Sequence, residues 1–199
     1  MRRVVLATGN AGKLREIRAI LCGHGLEVVA QSDLGITPPP EHGDDFVANA
    51  MIKARHAAAI ADLPAIADDS GLEVDALGGR PGLHSARFAG LPANDRANNE
   101  RLVAELAGVP DGRRTARYRC AMVFLRDAAD PAPIVAEAAW EGRISFAPRG
   151  AGGFGYDPYF IVQGGERTAA EMPPAEKNRV SHRGQALAAL AAAMKKAGW

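Results

Sequence analysis

Leu63-Pro64-Ala65-Ile66-Ala67 runs directly into Asp68-Asp69-Ser70-Gly71, and the reading of this join decides the fold. The apolar run is short and built of small residues, the pattern of a buried strand, and it stops at two carboxylates. In an α/β protein, ligands collect outside the carboxyl ends of the strands. Successive strand side chains point to opposite faces, so Asp68 and Asp69 are expected to do different jobs. One would face a ligand or metal while the other braces the turn, and Gly71 would let the chain leave sharply. Alone, the segment reads as well as an Asx turn closing a strand. Its neighbours favour a site.

Upstream, Val4 to Ala7 reads as a buried strand and Gly12 to Leu21 as a helix with Leu14, Ile17 and Leu21 on one side. Leu26 to Ala30 is a second strand, and Pro38-Pro39-Pro40 is a stiff connector. Asp44 and Asp45 open a helix to about Asp62, acids suiting its positive end. Downstream come a glycine-rich loop from Gly78 to Gly90 and a helix from about Asn94 to Leu106. Strands at Tyr118 to Leu125 and Ile134 to Trp140 suggest a hairpin. A second glycine-rich segment, Gly150 to Gly155, precedes a strand at Tyr159 to Val162, and an Ala-rich helix follows Ser181. Early alternation and late hairpins predict an α/β fold with a mixed, twisted sheet. Residues 1–199 are expected to form one domain of two lobes, with the boundary near 108–114.

The chemistry-bearing segments share a theme. Thr8-Gly9-Asn10-Ala11-Gly12-Lys13 joins a strand to a helix, where free amides and the helix dipole favour an anion. It is not a P-loop, because Ala7 replaces the first glycine and Leu14 the hydroxyl residue. Lys53 falls on the apolar face with Phe46, Ala50, Ala57 and Ile60, where an ammonium needs an anionic partner or must snorkel. Glu41 is a lone acid in a loop. His182 and Arg183 open the last helix at the wrong end of its dipole and, with Lys177, form a cationic set. Phe154-Gly155-Tyr156-Asp157 offers aromatic faces among glycines, where a planar base could stack. Together the set fits a metal-bound nucleoside triphosphate.

Bulk composition narrows the classes. With 47% hydrophobic and 24% charged residues, the chain of 199 is ordinary for a folded domain. A net charge of +1 supplies no field for nucleic acid or an acidic membrane, and no run approaches a membrane span. Cys22 and Cys120 make no disulfide framework and suit a reducing cytosol. A cytoplasmic protein without nucleic-acid or membrane partners is expected.

These segments resemble the inosine triphosphate pyrophosphatase family, hydrolases of non-standard purine nucleoside triphosphates. The likeness runs from Ala7-Thr8-Gly9-Asn10 with Lys13, through Asn49-Ala50 with Lys53-Ala54, to Ala67-Asp68-Asp69-Ser70-Gly71-Leu72. It continues in Pro81 to Gly90, Gly152 to Pro158 and Ser181-His182-Arg183-Gly184-Gln185-Ala186-Leu187. Each motif is weak alone, but six in this order are specific. The resemblance implies an elongated two-lobed fold with the active site in the cleft, a homodimer, magnesium, and hydrolysis of ITP, dITP, XTP and dXTP to monophosphate and pyrophosphate. By position, Thr8, Gly9, Asn10, Ala11, Gly12, Lys13 and Lys53 would hold the triphosphate. Glu41 and Asp69 would serve the metal, with Asp68 close by and Asp69 also the proton acceptor. Ser70 would touch substrate, Phe154, Gly155, Tyr156 and Asp157 would frame the base, and Lys177, His182 and Arg183 would read its edge. Donor-only side chains suit a 6-oxo group and leave the 6-amino group of adenine unmatched. The rivals are a related pyrophosphatase with another base preference and a nucleotide sensor that does not hydrolyse.

Overall fold

The computed structural model describes residues 2–199. Side-chain caps place the early helices. Asn10 accepts from the Lys13 backbone N–H at 3.0 Å and starts α1 (Ala11–Leu21). Asp45 does the same for Ala48 at 2.7 Å and starts α2 (Phe46–Ala61). Between them lie β1 (Arg2–Ala7) and β2 (Leu26–Ala30), with Pro38-Pro39-Pro40 in the irregular link before α2. β3 (Ala65–Val74), α3 (Asp95–Glu105), β4 (Thr115–Leu125), β5 (Ile134–Ile144), β6 (Phe160–Val162), α4 (Pro174–Val180) and α5 (His182–Lys196) complete the order.

The strands form one mixed sheet in the order β2-β1-β3-β4-β5-β6. β1 is parallel to both β2 and β3, and β5 is antiparallel to β6. The α/β reading and the mixed sheet both hold. The chain divides into two compact units and passes between them inside β3, β4 and β5 and again at the start of α5. The first comprises residues 1–69, 120–138 and 183–199, the second 70–119 and 139–182. Residues 108–114 lie within the second.

The first unit is layered. Val4 and Leu6 of β1 pack with Ile17 and Leu21 of α1 and with Leu187 and Leu190 of α5. Val5 and Ala7 point the other way and pack with Ala50, Ala54 and Ala57 of α2. The two-residue period of one strand thus serves two helical layers. In the second unit, Leu72, Val74, Leu102, Tyr118, Trp140, Tyr156 and Phe160 form a separate core.

β3 departs from its expected end at Ala67. It continues through Asp68-Asp69-Ser70-Gly71 to Val74. Both carboxylates find cations within the first unit, and Leu72 and Val74 then return to an apolar core in the second. Gly71 makes no turn. Its extended backbone lies so close to the 82–85 segment that a Cβ would sit 2.2 Å from the Gly82 carbonyl oxygen.

Candidate active site

β1 pairs with β3 as far as Ala7 opposite Ala67. There β1 stops while β3 continues, so Asp68 and Asp69 lie beside the carboxyl end of the shorter strand, where a parallel sheet opens a ligand position. The faces of β3 then separate the two carboxylates, as strand geometry requires.

Asp68 belongs to the face covered by α1 and α5 and is 1% exposed. Lys13 Nζ lies 3.0 Å from its Oδ2, and Arg183 Nε and Nη2 each lie 3.4 Å from the same oxygen. Arg183, itself buried, also donates to Glu16 of α1. Burial alone would raise the Asp68 pKa, but Lys13, Arg183 and Lys53 outweigh it and hold the carboxyl well below the usual range. Arg183 was expected beside Lys177 and His182. Its guanidinium is the counter-ion of Asp68 and Glu16 in the first unit, whereas Lys177 and His182 belong to the second.

Asp69 faces α2. Its Oδ1 accepts from Lys53 Nζ at 2.8 Å and its Oδ2 from Asn49 Nδ2 at 3.3 Å. Lys53 Nζ also donates to Glu41 at 3.1 Å, so one lysine gathers both carboxylates that the sequence suggested as metal ligands. Asn49 Oδ1 in turn accepts from the Gly43 N–H at 2.8 Å and ties down the segment that carries Glu41. Burial pushes the Asp69 pKa up, Lys53 and Lys13 pull it down, Glu41 adds to the rise, and the net shift is upward. Lys53 is disfavoured by burial, yet Asp69, Asp68 and Glu41 outweigh this and keep it protonated. Glu16 escaped the sequence reading, and Asn49, quoted there within a motif, was given no role. Spacing could have found them, since Asn49 precedes Lys53 by four residues and Glu16 follows Lys13 by three, one helical face in each case.

The start of the phosphate-binding candidate stays accessible. Gly9, Asn10 and Ala11 are open to solvent at the start of α1, while Thr8 is buried with its Oγ1 accepting from the Asn10 N–H at 3.2 Å. Gly12 is buried against the sheet.

In the second unit Asp157, 2% exposed, is a hub. Lys177 Nζ lies 2.5 Å from its Oδ2, the Phe154 N–H donates to the same oxygen at 2.9 Å, and the Tyr118 hydroxyl donates to Oδ1 at 3.2 Å. The Lys177 ammonium stands 5.1 Å from the centroid of the half-buried Phe154 ring. His182 stacks on Tyr118 with centroids 4.6 Å apart and 7° between planes. Tyr118, read from the sequence only as the start of a strand, is thus the link between Asp157 and His182. Tyr156 was expected to offer a face to a base. It is 4% exposed within the core, and its hydroxyl donates to the Ser85 carbonyl at 2.8 Å. Ser70, half-buried, follows Asp69 directly along β3.

The donor set bears on metal binding. Among the described residues no three His, Cys, Asp or Glu side chains gather to hold a metal by themselves. Two carboxylates drawn to one lysine do fit magnesium, which takes oxygen ligands, keeps several waters and shares substrate phosphates.

Known proteins resemble this chain over nearly its whole length. The Ham1 family model matches residues 4–193. A dITP/XTP pyrophosphatase of Methylococcus capsulatus is 58% identical over 98% of this chain and 96% of its own length. That of Escherichia coli K12 is 52% identical over 98% and 99%. Among solved structures, a HAM1 protein from Coxiella burnetii superposes with a TM-score of 0.89 at 42% identity, covering 98% of this chain and all of that one.

Proposed function

Since the chain belongs to the Ham1 family, we propose that it is a nucleoside triphosphate pyrophosphatase converting dITP, ITP and XTP to the monophosphate and pyrophosphate. The observation that carries this reading is the division of labour across β3. Asp68 is paired with Lys13 and Arg183, while Asp69 sits with a raised pKa beside Lys53, Glu41 and Asn49. A non-hydrolysing sensor has no need of a carboxylate prepared to take a proton.

The chemistry follows from these side chains. The backbone amides of Gly9 and Ala11 with Lys13 and Lys53 would bind the polyphosphate, Lys53 neutralising charge that grows on the leaving pyrophosphate. Glu41 and Asp69 would hold magnesium, which supplies further charge neutralisation at the phosphates when bound. Asp69 accepts the proton of a water whose oxygen forms the new bond to the α-phosphorus. The anhydride bond between the α- and β-phosphates breaks, and pyrophosphate leaves. Phe154 would stack on the base while Lys177 and His182 read its edge, and Arg183 instead holds Asp68 and Glu16. These are hydrogen-bond donors for a 6-oxo acceptor, and adenine presents a donor there. We further propose that it acts on the cytoplasmic nucleotide pool and does so as a homodimer.

The test is purified protein with magnesium and a panel of triphosphates, with pyrophosphate and orthophosphate measured separately. Pyrophosphate and monophosphate from dITP, ITP and XTP, with ATP slow, is the expected result. Release of orthophosphate and a diphosphate would overturn the reading.

A further inference from the structure

Residues 154–157 close on themselves through Asp157 and are also held from outside by α3. The Gly155 N–H donates to Asp95 Oδ2 at 2.8 Å, and the Gly155 carbonyl accepts from Asn99 Nδ2 at 2.9 Å. Asn99 Nδ2 also donates to the Asp95 backbone carbonyl at 2.8 Å, joining the two clamps. Asp95 is the first residue of the helix and Asn99 stands one turn on, so both project from one face.

Two features mark this arrangement as more than loop closure. Asn99 is 6% exposed, and its Oδ1 is buried without a hydrogen-bond partner, which is unfavourable in a fold that had only to fill space. Leucine there would fill the volume without that orphan. The amide is retained where its Nδ2 meets two carbonyls, one of them from Gly155. Gly155 has φ +63°, in the left-handed region, and a Cβ there would meet nothing within 4 Å. Its conformation is therefore imposed by hydrogen bonds rather than by packing. A glycine released from both would explore φ of either sign.

We propose that Asp95 and Asn99 are positioning residues that set base selectivity by fixing the two peptide planes flanking Gly155. This rests on the reading of residues 154–157 as the segment that frames the base. One plane carries the Phe154 carbonyl and the Gly155 N–H. The other leads through Tyr156 to Asp157, whose carboxylate holds Lys177. With both planes fixed, the Phe154 ring and the Lys177 ammonium keep one spacing, and a base must match it. Neither Asp95 nor Asn99 touches the phosphates in this scheme.

The test compares kcat/KM for ITP, ATP and ribose 5′-triphosphate, which has no base, in wild type, Asp95→Ala, Asp95→Asn, Asn99→Leu and Asp95→Ala/Asn99→Leu. Each lost hydrogen bond should narrow the ITP-over-ATP ratio about fivefold, chiefly through KM for ITP. Turnover of ribose 5′-triphosphate should stay at the wild-type value. Asp95→Asn keeps an oxygen acceptor and should restore most of the ratio. Asn99→Leu removes the orphan oxygen together with the donors and should fold even if the double variant does not. A ratio unchanged in Asn99→Leu, or an equal loss for all three substrates, would overturn the inference. If wild type failed to prefer ITP at all, the proposed function would fall first, and the inference with it.

Discussion

Asparagine placed at 68 or at 69 should give opposite phenotypes, although the two residues are neighbours. Asp68 is a buried carboxylate with cations from Lys13 at 3.0 Å and Arg183 at 3.4 Å. Removing one partner of a buried ion pair costs about 3–5 kcal/mol, because the charge left behind stays desolvated. Arg183 retains Glu16 and the Lys13 side chain is 15% exposed, so the lower end is expected, about 3 kcal/mol. For a chain of this size that lowers Tm by roughly 6–12 °C. Asp69 differs because its folded pKa lies above the unfolded value, so the fold disfavours its ionised form at neutral pH. The amide removes that penalty and also the 2.8 Å contact with Lys53, which keeps Glu41 at 3.1 Å. The two effects oppose, and Asp69→Asn should change stability by less than about 1 kcal/mol. Its kcat should instead fall about 10²–10⁴-fold, as for loss of a general base. Thermal melting and steady-state pyrophosphate release on both variants decide the matter. Retention of more than about a tenth of wild-type kcat by Asp69→Asn would refute its role as base. A Tm for Asp68→Asn within about 2 °C of wild type would refute the ion-pair argument.

Three further outcomes are expected. Lys53→Met should raise KM for ITP and ATP by similar factors, since Lys53 contacts carboxylates and, in the proposed mechanism, phosphate rather than base; a selective effect on ITP would contradict this. Asp130, held well below the usual carboxylate range first by the Arg126 guanidinium and then by backbone N–H groups, contributes stability above its unfolded pKa of about 3.9 that is lost as pH falls below it. Asp130→Asn should therefore flatten the acid limb of a Tm-against-pH curve, and an unchanged limb would show the contact to be idle. Burial pushes the Cys120 thiol up to about 12, so at pH 8 a thiol reagent should modify exposed Cys22 in the native protein and reach Cys120 only on unfolding, as peptide mass mapping would record.

The sequence was most legible where one local rule decided the outcome. Asn10 and Asp45 cap α1 and α2 because a short polar side chain precedes each apolar period, and Lys53 reads correctly as a buried cation in need of acids. The rules failed where distant groups intervened. Asp-Asp-Ser-Gly is turn chemistry by local preference, yet lysines 13 and 53 and Arg183 come from far along the chain and let β3 continue. β5 was expected to stop at Trp140 but runs to Ile144, with Glu141 accepting from Arg117 of β4 at 3.0 Å, a pairing invisible before the strands are aligned. The seven-residue α4 is too short to show a period. Tyr156 looks like Phe154 in a glycine-rich string, and only the Ser85 carbonyl distinguishes them by drawing Tyr156 inward.

The first unit takes its core from both ends of the chain. Arg2 donates to the Gly198 carbonyl and lies 4.8 Å over the Trp199 ring, while Leu187, Leu190 and Met194 of α5 complete the packing around β1. On the ribosome, β1, α1 and Lys13 are made long before α5 and must wait for it before that apolar layer closes, and Asp68 stays without Arg183 until then. The order of synthesis thus withholds the charge balance around β3 until α5 has emerged. The same adjacency of Arg2 and Trp199 lets a short linker join them, so new ends could be opened in an exposed turn such as 22–25, between α1 and β2, without removing any strand from the sheet.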